Sequence, residues 1–262
     1  MNVARGASLY SWLEGLLKEL VALLPNALFH LGGDEVQYQC WESDPEMVAY
    51  LKSRKMTGVE LYREFEHTMF GILNKLGKSP VTWDSTFFTN VTLPPGAVVH
   101  QYREGSAGTT AIVRAGHKVI VSALNGDYVA LQSTWQQIFA EEIMPAGLTA
   151  AEEALVLGGA AASWGETTDD SDIDTIVWPD TAAVGERLWS QPGSAANPAA
   201  YDANAAALRM IPHRCRLYQR GIRAKPLDDR DGFGRRRLQQ QCEVTLPELV
   251  AGSLPPLSAL WD

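Results

Sequence analysis

Five short runs of the chain, ALFHL, PVTWD, AVVHQY, KVIVSAL and ALVLGGAAASWG, are apolar nearly throughout rather than alternating with polar residues. A strand that is apolar on both faces has to be covered on both, which favours a parallel sheet with helices packed outside it. The stretches between the runs fit that plan. LYSWLEGLLKELVALL places Leu9, Trp12, Leu13, Leu16, Leu17 and Leu20 on one helical face, and Pro25 ends it. VELYREFEHTMFGILNKLG does the same with Phe65, Met69, Ile72 and Leu76, and PEMVAYLKSRK is a further helical stretch. AALRMIPHRCRLYQRG predicts a final helix, kinked or broken near Pro212. Residues 229–262, rich in Arg, Gln and Pro, are expected to form a loosely structured tail.

Composition narrows the partners. The net charge is −9 and no basic stripe runs along any helix, so neither nucleic acid nor an anionic membrane is expected as a partner. The one dense basic cluster, Arg235 to Arg237, reads as a solvated surface run. No apolar run is long enough to predict a membrane span, and MNVARGASLYSWLEG lacks the apolar core of a signal peptide. Cys40, Cys215 and Cys242 are widely spaced and fit no zinc pattern, and their odd number leaves one without a partner in the chain. No cofactor is called for.

The ends of the apolar runs carry the chemistry. ALFHL leads through Gly32 and Gly33 to Asp34 and Glu35, PVTW ends in Trp83 and Asp84, AVVHQY in Tyr102, and GGAAASWGE in Trp164 and Glu166. Ligands of parallel α/β folds bind where the strands end, so acids and rings converge on one rim. Flat apolar rings beside carboxylates suit a sugar, whose C–H face stacks on aromatics while its hydroxyls bond to polar groups. Gly-Gly-Asp by itself is also ordinary turn chemistry. Adjacent strand residues point to opposite faces, so Asp34 and Glu35 can serve one pocket only if the chain bends, which Gly32 and Gly33 permit.

HLGGDEV followed by YQCW, then VTWD, LGGAAASWGE, AAVGERLWS and PHRCRLYQRGIRAKPL, resembles glycoside hydrolase family 20, the β-N-acetylhexosaminidases, in motif order and in spacing. The resemblance runs from about residue 7 to residue 228 and implies a catalytic domain over residues 1–228. It implies the C-terminal part of a (β/α)8 barrel, about five βα units with the first three strands missing. It implies hydrolysis of terminal non-reducing N-acetyl-β-D-hexosamine residues of glycans or chitooligosaccharides. No enzymic nucleophile takes part in that chemistry: the substrate's 2-acetamido oxygen attacks the anomeric carbon. Asp34 would orient the acetamido group, and Glu35 would act as general acid and then base. Trp83, Tyr102 and Trp164 would wall the acetamido pocket, with Tyr102 where the family usually has Trp, and Glu166 would bind sugar hydroxyls. A Tyr contacting the acetamido oxygen is expected in the shortened loop NGDYVALQSTW, where Tyr128 is the candidate and Ala130 the alternative. A lysosomal or extracellular location is implied too, and Asn90-Val91-Thr92 is a glycosylation sequon that matters only there.

The chain also departs from the family pattern. Cys40 resembles a cysteine whose partner lies upstream, and the partner position of Cys215 is Gly234, leaving a Cys215–Cys242 bridge possible. A five-stranded segment has two open edges, so the polypeptide alone is expected to self-associate, aggregate or stay partly unfolded. A second reading is therefore a catalytically impaired truncated homologue that keeps part of a sugar pocket. A third, a metal hydrolase built on His30, Asp34 and Glu35, lacks a second histidine cluster, and His30 reads as a packed residue with a satisfied hydrogen bond.

Overall fold

The computed structural model describes residues 2–122, 134–140, 143–166, 168–189, 203–227 and Cys242. After a 3-10 turn at Val3–Arg5, α1 spans Ala7–Leu23, β1 Leu28–His30, α2 Tyr38–Ser43, α3 Pro45–Arg54 and α4 Gly58–Lys75. Next come β2 (Ser79–Trp83), α5 (Asp84–Phe88), β3 (Val98–Gln101), α6 (Gly105–Arg114) and β4 (Lys118–Val121). The series ends with α7 (Trp135–Ala140), α8 (Ala150–Glu153), β5 (Val156–Gly159), α9 (Ile173–Val177), α10 (Asp180–Trp189) and α11 (Ala203–Gln219).

The strands form one five-stranded sheet in the order β1-β2-β3-β4-β5. β1 runs parallel to β2 with Phe29 opposite Pro80, and β2 parallel to β3 with Thr82 opposite Val99. Each predicted apolar run thus supplies a strand of a parallel α/β sheet. The expectation of burial on both faces holds for the inner strands, where Thr82, Val98 and Val99 are almost fully buried. It fails at the ends, where Leu28 of β1 is 41% and Leu157 of β5 is 48% exposed. A strand with a neighbour on one side only is covered less completely.

By its contacts the chain divides into two compact units, residues 1–120 with 148–157, and residues 121–147 with 158–262. In the first unit, Leu13 and Leu17 of α1 bury against Met69, Ile72 and Leu73 of α4, with Phe29 of β1 packed beside them. Each such side chain contributes roughly 1.5–3 kcal/mol. The apolar face of α1 is narrower than its sequence predicts: Trp12 is 62% and Leu16 40% exposed. A capping box starts α4, with Glu60 N donating to Thr57 Oγ1 and Thr57 N donating to Glu60 Oε2. Asp44 caps α3 by accepting from Met47 N, with Pro45 following it in the first turn. Cys40 is free and exposed, as is the sequon residue Asn90.

In the second unit, Trp135, Ile138 and Phe139 of α7 pack with Ala183 and Val184 of α10 and with Ala206 and Met210 of α11. α11 continues through Pro212 instead of breaking there. Buried Ala206 and Met210 before the proline, and Cys215 and Leu217 after it, hold the helix on both sides. That packing outweighs a penalty of about 3 kcal/mol for an interior proline. Cys215 forms a disulfide with Cys242. Gly234 and the rest of the tail lie outside the described residues. Among the described residues, no helix is long and apolar enough to cross a membrane.

Candidate active site

The candidate site of the first unit is built on the turn that follows β1. Gly32 and Gly33 have φ of +79° and +93°, a region that favours glycine, and Glu35 has φ of +48°. Trp83 N donates to Gly32 O at 2.9 Å, which ties the turn to the end of β2. Beneath it lies a seat of buried hydroxyls. Tyr62 OH donates to Gly33 O at 2.6 Å, and Thr82 Oγ1 lies 3.0 Å from Gly32 O and 2.6 Å from Thr86 Oγ1. A Cβ on Gly33 would stand 2.5 Å from Thr86 Oγ1, so the second glycine is required by contact as well as by backbone conformation. The turn thereby presents Asp34 and Glu35 to solvent.

A second anchor sits at the ends of β2 and β3. Asp84 is fully buried, and its Oδ2 accepts from the amides of Tyr102 at 3.2 Å and Arg103 at 2.9 Å. Burial pushes the Asp84 carboxyl above its ordinary value, opposed by those two amides and by the Arg103 guanidinium. Buried Gln101 fixes the next turn, donating to Arg103 O and Gly105 O while accepting from Thr109 Oγ1. Tyr102 is held at its base and at its tip. Its hydroxyl donates to Glu35 Oε1 at 3.0 Å and lies 3.1 Å from Ser85 Oγ, which accepts from Arg103 Nη2.

Aromatic rings cluster around Trp83. Trp83 stacks on His100 at 4.2 Å between centroids and meets Tyr102 edge-on at 5.2 Å and His30 at 4.9 Å. Gly32 N donates to His30 Nδ1 at 3.0 Å, so the neutral ring carries its proton on Nε2 and offers it to His100 Nδ1 at 3.2 Å. Burial, with the charge of His30 adding to it, lowers the His100 pKa to about 4. Burial also lowers His30, against the opposing pull of Asp34. Both imidazoles are therefore neutral near pH 7, which suits the donor chain.

The structure brings Glu35, Trp83 and Tyr102 together, with Asp34 next to Glu35 on the same turn. Trp164, 44% exposed, and exposed Glu166 belong to the second unit, after β5. Tyr128 lies outside the described residues. His30 has the bonded partner its sequence reading expects, yet it is exposed rather than enclosed. Sequence reasoning missed the work of Asp84, Ser85, His100, Gln101 and Arg103. For His100 a signal exists, because it shares a strand face with Tyr102 at a spacing of two residues. Among the described residues no group of three His, Cys, Asp or Glu side chains is placed to hold a metal ion, and both ring nitrogens of His30 are used in hydrogen bonds.

Comparison with known proteins extends this picture. Residues 2–192 match the model of glycosyl hydrolase family 20, catalytic domain. Over 227 residues the chain is 33% identical to β-hexosaminidase subunit beta of Felis catus, covering 84% of this chain and 41% of that protein. The corresponding subunit of Homo sapiens is 31% identical over 223 residues, 83% of this chain and 39% of that one. The chain thus spans about two-fifths of the length of these curated relatives. Among solved structures, the chitobiase of Flavobacterium johnsoniae superposes with a TM-score of 0.67 at 28% identity, covering 84% of this chain and 33% of that one. The exo-β-N-acetylglucosaminidase of Vibrio harveyi bound to N-acetylglucosamine, at 20% identity and a TM-score of 0.66, shares the fold over 87% of this chain and 37% of its own. The match of the family model over residues 2–192, most of the chain, places it in glycosyl hydrolase family 20.

Proposed function

We propose that the chain hydrolyses terminal non-reducing N-acetyl-β-D-hexosamine residues of glycans or chitooligosaccharides by a substrate-assisted, retaining mechanism. In the first step the acetamido oxygen bonds to the anomeric carbon as the glycosidic bond breaks, and Glu35 gives its proton to the departing oxygen. Asp34 orients the acetamido N–H and stabilises the oxazolinium charge. In the second step water attacks the anomeric carbon, Glu35 takes its proton, and the ring opens to restore the acetamido group. Trp83, Tyr102 and Trp164 wall the acetamido group, Tyr128 bonds its oxygen, and Glu166 binds hydroxyls. The observation that carries the reading is the Tyr102–Glu35 hydrogen bond beside Trp83, within residues that match the family.

On this reading β1 is the fourth strand of an eight-stranded barrel, residues 1–228 are the catalytic domain, and residues 229–262 are its C-terminal tail. The Cys215–Cys242 bridge fits an oxidising compartment, lysosomal or extracellular. Glu35→Gln should cut turnover of substrates with poor leaving groups by about 100-fold or more, and of activated aryl N-acetyl-β-glucosaminides far less. Equal loss on both would remove Glu35 from the role of acid.

The exposure of β1 favours a second reading, a homologue with impaired catalysis that keeps part of a sugar pocket. β1 is an end strand of the sheet, with Leu28 41% exposed. Light scattering and a hexosaminide assay on the purified chain separate the two. Self-association with weak turnover supports the second reading, and a monodisperse monomer with ordinary turnover rejects it.

A further inference from the structure

We propose that Tyr102, backed by Ser85 and Arg103, is a positioning residue for Glu35. The inference rests on the reading of Glu35 as acid and base, and it names the group that sets the reach of that carboxyl. Glu35 occupies a backbone conformation, φ +48°, that non-glycine residues rarely adopt, so its own torsional preference does not hold it in place. The Tyr102 hydroxyl does, at 3.0 Å from Oε1.

The direction of that hydrogen bond is set from behind. The Arg103 guanidinium has only donors, and its Nη2 donates to Ser85 Oγ. The Ser85 proton is then available to the Tyr102 oxygen, 3.1 Å away, and the Tyr102 proton goes to Glu35. Arg103, Ser85, Tyr102 and Glu35 form a donor chain with one sense, starting at a fixed charge and ending at a carboxylate. Each bond in such a chain polarises the next. The base of the chain is fixed too, because buried Asp84 holds the amides of both Tyr102 and Arg103, and the Arg103 guanidinium lies 4.7 Å over the Tyr102 ring. With Oε1 of Glu35 engaged, Oε2 is the oxygen left to exchange a proton with substrate.

A residue that merely walls the pocket would act through its ring, so the hydroxyl and the ring can be separated by Tyr102→Phe in the full chain. Two measurements test the proposal. In the first, kcat/KM is compared for methyl and dinitrophenyl N-acetyl-β-glucosaminides, of which only the first needs its leaving group protonated. Tyr102→Phe should lower the methyl value by about tenfold and the dinitrophenyl value by less than about twofold. In the second, hydrogen exchange of residues 29–37 should become about threefold faster in Tyr102→Phe. Ser85→Ala should move both readouts in the same direction by a smaller factor. Equal losses on the two substrates, or unchanged exchange of the turn, would overturn the positioning role. If the unaltered chain turned over neither substrate, the proposed function would fail, and the exchange measurement alone would decide whether Tyr102 holds the turn.

Discussion

In the first unit, the candidate site stands on buried groups: the Gly32–Gly33 turn on Tyr62, Thr82 and Thr86, and Tyr102 on Asp84. In the second unit, the segment after β5 begins with a firm tie, Ala160 N to Val121 O and Ser122 Oγ to Ala160 O. It then carries Trp164, Gly165 and Glu166 as exposed residues. The two stretches share a plan in sequence, each a strand leading through glycine to a carboxylate. They differ in exposure: Tyr62, Thr82 and Thr86 under Gly33 are buried, whereas Trp164, Gly165 and Glu166 are exposed. A turn seated on hydrogen bonds has one conformation and tolerates no added atom, whereas an exposed segment accepts change cheaply.

The sharpest test sets one glycine against the other. Gly33→Ala would put a Cβ 2.5 Å from Thr86 Oγ1, whose hydroxyl is engaged by Tyr62 and Thr82, at a φ of +93°. Denaturant unfolding should show a loss of about 2–4 kcal/mol, from backbone strain and contact together. Gly165 has no positive φ, and a methyl group added there would meet no atom within 4 Å, so Gly165→Ala should change stability by less than about 0.5 kcal/mol. Equal effects would erase the contrast.

The second test removes an anchor. Asp84→Ala leaves the buried-side amides of Tyr102 and Arg103 without their acceptor, and should cost about 2–3 kcal/mol in the same unfolding measurement. An unaltered midpoint would mean that water replaces the carboxylate, and that the rim is less enclosed than its burial implies.

The smallest effect concerns pH, because two groups of the first unit oppose one another. Burial holds His100 at about pKa 4, below its ordinary 6.5, so the unfolded chain binds the extra proton first and stability falls as pH drops from 6.5 to 4. Burial holds Glu66 of α4 at about 7, above its ordinary 4.5, so stability falls as pH rises from 4.5 to 7. Each contribution is at most about 3 kcal/mol, and over pH 4.5–6.5 their slopes have opposite sign. Removing one should expose the other: Glu66→Gln should make stability rise with pH across that window, and His100→Asn should make it fall. A pair of parallel profiles would show that neither group governs the slope.

Much of this architecture is legible in the sequence because hydrophobic periodicity and strand-end chemistry are local signals. The five apolar runs give the five strands, and the rule that ligands meet strand ends brings Glu35, Trp83 and Tyr102 to one place. The supports are less legible, because each depends on a neighbour distant in sequence. Asp84 reads as one more carboxylate until β3 lies beside β2 and hands it two backbone amides. Tyr102 reads as a ring, and only the turn after β1 turns its hydroxyl into a partner for Glu35. Trp12 misleads in the other direction: it fits the helical face of α1, yet it is 62% exposed while Leu13 and Leu17 bury against α4.

The bridge between Cys215 and Cys242 changes what it means for this chain to be cut. It encloses Arg216, Arg220, Arg223, Lys225 and the Arg235–Arg237 run within a covalent loop, since the two cysteines are 27 positions apart. A single cut by a trypsin-like protease inside that loop breaks a peptide bond without releasing a fragment. The pieces stay joined through sulfur until a thiol reduces them, so the cut shows in the unreduced molecule only as the mass of one added water.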